Sequence, residues 1–158
     1  MGRPYYIVLA DDHIRFRREM RKILEEIPDI EIAGEAGNRQ ELLDLLELHA
    51  PEMVILDLFI PDLRAEEGTK LIKSLYPKTK VLITVMNHEL EYLFHGLAAG
   101  AEGVLPKQHV AGHIFRAIAK VRQGKIYLPI KGSGFPGAVS EKAGEWAGLV
   151  KQPLGSFT

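Results

Sequence analysis

The 158-residue chain contains no cysteine. That excludes disulfides, thiolate metal sites and a cysteine nucleophile, and it fits a reducing compartment. Net charge is nearly absent too: 20 Lys and Arg face 21 Asp and Glu, for a formal charge of −1. Nonspecific nucleic-acid binding therefore has no electrostatic basis. No apolar run approaches the length of a membrane span. The N-terminus, "MGRPYYIVLADDH", lacks the long apolar stretch and cleavage site of a secretory signal. A cytoplasmic location is the expectation. What is present is an ordinary mix, 46% hydrophobic and 26% charged, typical of a globular chain. Its length suits one domain with a modest extension.

Short apolar runs alternate with stretches of helical period. "YYIVLA" (5–10) reads as a first strand, followed by a helix over 14–27 with Pro28 as its stop. "IEIAGEA" (30–36) alternates like a strand, and Asn38 with Glu41 three residues later makes a capping-box pattern for the next helix. "EMVILDL" (52–58) is an apolar run suited to a sheet covered on both faces. A helix over 66–76, a strand over 80–86, a helix over 89–100 closed by Gly100, a short strand over 102–106 and a helix over 110–124 complete the pattern. Five such units predict a doubly wound α/β domain with a parallel sheet, spanning residues 1–128. Residues 129–158 read as a glycine-rich linker or tail, with a short helix at 140–150 capped by Ser140.

Four charged residues fall at strand carboxyl ends: Asp11 and Asp12 after the first strand, Asp57 at the third, Lys107 after the fifth. Ligands of such sheets bind at that edge. Taken singly, an acidic pair after a strand is as readily a helix start, and a lone lysine is usually solvated. Their coincidence is what suggests chemistry. Three converging carboxylates repel unless a cation neutralises them, and a hard ion such as Mg2+ prefers oxygen ligands. Asp57 would be a nucleophile forming an aspartyl phosphate, with Lys107 offsetting the charge of the phosphoryl group.

"IVLADDH", "PEMVILDLFIP" and "GVLPK" resemble the three signatures of response-regulator receiver domains. The stretch from Lys78 to Lys107 looks most like the NarL/FixJ subfamily. The resemblance covers roughly residues 5 to 128. It implies a flavodoxin-like (CheY-like) five-stranded sheet of strand order 2-1-3-4-5, and phosphorylation by a histidine kinase or histidine phosphotransfer protein. By position it makes Asp57 the phosphoacceptor, Asp12 a direct Mg2+ ligand and Asp11 one acting through water. It makes the Phe59 backbone carbonyl a further ligand, Lys107 the phosphoryl contact and Pro61 the shaper of the following loop.

The chain departs from that family at the switch. A threonine or serine is normal where Val85 stands, and strand alternation turns the neighbouring Thr84 to the other face. Losing one hydrogen bond to a charged acceptor costs roughly 1.5–3 kcal/mol of active-state preference. Val104 stands where an aromatic switch residue is frequent. Ala65 replaces a common glycine, and Gln108 a proline that often has a cis bond. Weakened or rerouted coupling is expected, and a phosphorylation-independent pseudo-receiver acting by protein contact is the alternative. An enzyme of the haloacid-dehalogenase type would need a second aspartate where Phe59 stands, so no released-product activity is expected.

Six histidines are scattered along the chain, and His13 reads as a local contact beside the acidic pair. Arg15, Arg17, Arg18, Arg21 and Lys22 give the first helix a basic surface. It is either a solvated face or, by the resemblance, a docking surface for the phosphodonor. The face formed by 89–124 is the candidate for a homodimer. The family would add a helix-turn-helix output domain. The thirty or so residues after 128 lack a recognition helix and basic phosphate contacts, so no DNA binding is expected.

Overall fold

The structure, a computed structural model, describes residues 2–86, 97 and 99–128. Most of the helix expected over 89–100, and all of the tail at 129–158 with its helix at 140–150, lie outside the described residues.

In chain order the elements are β1 (Tyr5–Ala10), α1 (Ile14–Glu25), β2 (Ile30–Ala36), α2 (Arg39–His49), β3 (Met53–Asp57), β4 (Phe59–Ile60), β5 (Leu63–Arg64), α3 (Ala65–Leu75), β6 (Lys80–Val85), β7 (Gly103–Pro106) and α4 (Val110–Arg122). Five strands form one parallel sheet of order β2-β1-β3-β6-β7. With the two-residue strands β4 and β5 set aside, this is the order 2-1-3-4-5. The sheet separates two cores. Leu42 and Leu46 of α2 and Ile72 of α3 pack with Val54, Leu56, Val81 and Ile83 on one face. Met20 and Leu24 of α1 and Ile114, Ile118 and Val121 of α4 pack with Ile7, Leu9, Ile55 and Leu82 on the other. Residues of β3 and β6 alternate between these cores, so both strands carry apolar runs, Met53–Leu56 and Val81–Ile83, buried on both faces. Each fully buried Leu or Ile contributes roughly 1.5–3 kcal/mol of transfer free energy.

Helix ends follow local chemistry. The Asn38 side chain accepts from the Glu41 amide at 2.9 Å. Glu41 returns the favour to the Gly37 amide at 2.8 Å, one residue before the cap rather than at the cap itself. Helix α1 stops at Glu25, two residues short of the expected end. The Glu26 and Ile27 amides turn back to the carbonyls of Ile23 and Leu24, so a tighter turn finishes the helix before Pro28. Helix α4 ends at Arg122, and Gly124 takes a φ of +82° that a side chain would strain.

Two features of the fold have no counterpart in the sequence reading. Strands β4 and β5 form a small antiparallel hairpin pairing Phe59 with Arg64 and Ile60 with Leu63. Its two turn residues are Pro61 and Asp62. Pro61 presets the first position, and Asp62 is left-handed with φ +66° at the second. The second feature is a strap after α4. Tyr127 bridges Gly103 in parallel, its amide donating to Glu102 O at 2.9 Å and its carbonyl accepting from the Val104 amide at 3.0 Å. The Tyr127 hydroxyl meets His113 Nδ1 of α4, with the rings edge to face. Burial raises the Tyr127 phenol above its ordinary pKa.

Candidate functional site

The pairing of β1 with β3 brings two strand ends together, Ala10 lying against Leu56. The residues that follow are Asp11 and Asp57, both 3% exposed. Strand β7 lies two strands from β3 and ends at Pro106, and a single 3-10 turn over Lys107–His109 starts there. That turn aims Lys107 back across the carboxyl edge of the sheet. Its Nζ lies 2.7 Å from Asp11 Oδ2 and 3.2 Å from Asp57 Oδ1. The Lys107 side chain is 7% exposed, so the ammonium is enclosed between two buried carboxylates. Its charge also lies over the Phe16 ring, 4.8 Å from the centroid.

Asp12 is the outer member, with a side chain 43% exposed. Asp11, Asp12, His13 and Asp57 each offer a ligand atom, and these atoms lie within 4.8 Å of one another. Asp11 Oδ2 is buried and makes no hydrogen bond of ordinary geometry; the ion pair with Lys107 is its contact. Three carboxylates against one ammonium leave the cluster short of positive charge. A donor set of carboxylate oxygens is suited to a hard divalent cation such as Mg2+.

The acidic loop is held from behind. Arg17 Nη1 donates to the Asp11 carbonyl at 2.6 Å, and its Nε donates to Glu35 of β2 at 3.1 Å. Arg21 Nε donates to the same Glu35 at 2.6 Å. Two of the five basic residues that the sequence reading gave to a solvated or docking face are therefore spent inside the fold. The remaining Arg15, Arg18 and Lys22 are exposed. No periodic signal could have separated the two groups, because the partner Glu35 is brought close only by the sheet.

Val85 and Val104 are fully buried in the same core, the one beneath α2 and α3. Thr84 is in register with Asp57 on the neighbouring strand, so the two share a face of the sheet, the one opposite Val85, and Thr84 is buried there among Leu9, Phe16, Met20 and Ile55. Ala65 is fully buried at the start of α3, and the peptide bond after Lys107 is not cis. Phe59, whose carbonyl was expected to face a metal, opens β4 and is 39% exposed. Pro61 occupies the hairpin turn, and its carbonyl accepts from the Arg39 amide at 3.2 Å.

A doubly wound, CheY-like sheet with clustered acids and one enclosed lysine at its carboxyl edge defines a class of α/β domain. The comparisons place the chain within it. Residues 7–119 match the family model described as the response regulator receiver domain, and the chain belongs to that family. The oxygen regulatory protein NreC of Staphylococcus epidermidis is 36% identical over 128 residues, covering 79% of this chain and 58% of NreC. The isolated receiver domain of RcsB from Salmonella enterica serovar Typhimurium, solved in the presence of the phosphomimetic BeF3−, superposes with a TM-score of 0.75 at 26% identity, covering 87% of this chain and 97% of that one. The receiver domain of a NarL response regulator from Mycobacterium tuberculosis gives 0.71 at 26% identity, covering 78% and 100%. These relatives bear out the NarL/FixJ resemblance. The chain spans a little over half the length of the first curated relatives it matches. No helix among the described residues is long and apolar enough to cross a membrane.

Proposed function

We propose that this receiver domain accepts a phosphoryl group on Asp57 from a phosphohistidine, carried by a histidine kinase or a histidine phosphotransfer protein, in a Mg2+-dependent step. The observation that supports this most is the Lys107 ammonium enclosed between Asp11 and Asp57 at 2.7 and 3.2 Å. Asp11, Asp12, Asp57 and the Phe59 carbonyl would hold Mg2+, which supplies the charge that lets an anionic donor approach three carboxylates. An Asp57 oxygen attacks phosphorus. The P–O bond forms as the P–N bond breaks, and the imidazole leaves with the electron pair. Lys107 turns its ammonium to the new phosphoryl oxygens, a charge-assisted contact that replaces its bond to Asp57. Hydrolysis returns inorganic phosphate and the free carboxylate. The product is a conformational or association state rather than a released metabolite. A cytoplasmic location and a homodimer through the 89–124 face complete the reading.

Intact-mass analysis after incubation with acetyl phosphate and Mg2+ tests it. The wild type gains one phosphoryl group, while Asp57→Asn and a chelator-treated sample gain none. An unmodified wild type overturns the proposal.

A second reading, a module that acts by contact alone, is favoured by Val85 and Val104. Both are buried in one core, and neither can bond a phosphoryl oxygen or swing an aromatic ring. In titrations with beryllofluoride and Mg2+, the backbone amides of residues 86–105 should shift further in Val85→Thr than in the wild type. A hydroxyl at 85 that reached the phosphoryl oxygens would add one hydrogen bond to a charged acceptor, roughly 1.5–3 kcal/mol; Thr84, in register with Asp57, is the hydroxyl already on that face. Equal shifts in the two proteins would show that the hydroxyl is not what the switch lacks.

A further inference from the structure

Lys107 is presented by a turn that its own sequence fixes weakly. The 3-10 turn over Lys107–His109 and α4 after it both begin without a capping side chain. No acidic residue stands in the first turn of α4. Gly112 sits there instead, and nothing lies within 4 Å of where its Cβ would be. That glycine weakens the helix start and contributes no packing. Further along, α4 packs through Ile114, Ile118 and Val121, and apolar contact is non-directional. Yet the Lys107 ammonium stands 2.7 and 3.2 Å from two buried carboxylates.

Tyr127 supplies the missing constraint. Its backbone holds the strand before the turn: the amide donates to the Glu102 carbonyl at 2.9 Å, and the carbonyl accepts from the Val104 amide at 3.0 Å. Its hydroxyl holds the helix after the turn, at His113 Nδ1. One residue thus ties together the two elements between which Lys107 lies. Both partners are buried, Tyr127 at 4% and His113 at 3% exposed. Replacing both members of a buried hydrogen bond with apolar groups is often nearly neutral for stability. What the polar pair adds is direction, because a hydrogen bond persists only over a narrow range of distance and angle.

We propose that Tyr127 is a positioning residue for Lys107: by joining β7 to the start of α4 through His113, it fixes where the ammonium stands relative to Asp11 and Asp57. The consequence for phosphoryl transfer rests on the receiver reading, and the geometry does not. Small displacements of a group that must meet a transferring phosphoryl are costly in rate.

The test reads first the lysine and then the reaction, in the full chain and in Tyr127→Phe, His113→Leu and His113→Asn. Tyr127→Phe keeps the ring and both backbone bonds. An enclosed ammonium exchanges its protons slowly, so the metal-free wild type should show a distinct 15N-coupled signal from the Lys107 side chain. Tyr127→Phe and His113→Leu should broaden or abolish it. His113→Asn, which sets a polar atom close to the place of Nδ1, should keep it. Both His113 variants lose Nε2, so their difference isolates the contact with Tyr127. With acetyl phosphate and Mg2+, Tyr127→Phe should slow phosphorylation of Asp57 about three- to tenfold, the range spanned by the net free energy of one hydrogen bond. Mg2+ affinity by calorimetry should hold at the wild-type value, because the acids keep their places. An unchanged lysine signal in Tyr127→Phe overturns the inference, as does equal loss of signal in the two His113 variants. So does a Mg2+ affinity that falls in step with the rate, the mark of a general loosening. A wild type without the signal has no held ammonium, which also overturns it. A wild type that shows the signal but accepts no phosphoryl group sinks the receiver reading alone, and the signal still decides the role of Tyr127.

Discussion

Replacing Lys107 with alanine should destabilise the metal-free protein by about 3–5 kcal/mol, the usual result of stripping one partner from a buried ion pair. Asp11 and Asp57 are each 3% exposed, and the ammonium between them is the cation that makes their burial tolerable. Without it, two carboxylates face each other in a poorly solvated cleft. Coulomb repulsion and desolvation then act in the same direction. The loss should be specific to metal-free conditions. On the proposed reading millimolar Mg2+ binds the folded state alone, and it should restore much of the difference. Urea unfolding with and without chelator measures both numbers. A Lys107→Ala protein within 1 kcal/mol of the wild type in chelator would show that the acids are comfortable without the ammonium, and would remove the electrostatic basis of the site described above.

Gly103→Ala is the second large effect. A Cβ at Gly103 would stand 2.7 Å from the Tyr127 carbonyl oxygen, 2.8 Å from Leu82 Cδ2 and 3.2 Å from Tyr127 Cβ. The first of these neighbours is backbone and cannot rotate away. Either β7 shifts, which disturbs the strand leading to Lys107, or Tyr127 leaves and takes two backbone hydrogen bonds with it. Overpacking of this kind costs about 1–3 kcal/mol. Hydrogen exchange at the Val104 and Tyr127 amides distinguishes the routes. Fast exchange at both amides is the expected result, because the clash falls on the Tyr127 carbonyl that accepts from the Val104 amide. An alanine variant with wild-type stability and slow exchange would mean that the bridge is not a close approach in solution.

The large elements were legible because each carries its own periodic signal. Ile30–Ala36 and Met53–Asp57 are apolar or alternating runs bounded by turn residues. The acid and lysine positions were legible because strand carboxyl ends converge in this architecture whatever the side chains are. Three things escaped. Strands of two residues, as in β4 and β5, are too short to show any period. The Tyr127 bridge depends on a single glycine across the sheet edge, a pairing that neither segment advertises. The roles of Arg17 and Arg21 depend on Glu35, which lies in a different strand and is brought near only by folding. Each of these misses is a long-range contact between residues that look ordinary in their own neighbourhood.

An open parallel sheet exposes two rows of unpaired peptide groups, each a template onto which another chain can add a strand. The two borders of this sheet are guarded differently. At β7 the protein's own returning segment occupies part of the row through Tyr127. At β2 a register shift opposite Ile7 and Val8 breaks the regularity a newcomer would have to match, and the exposed Glu31 adds negative charge to the strand. Fibrillar or strand-exchanged association is thus hindered on both sides, so a crowded signalling protein can present its helical faces to partners without its sheet recruiting copies of itself.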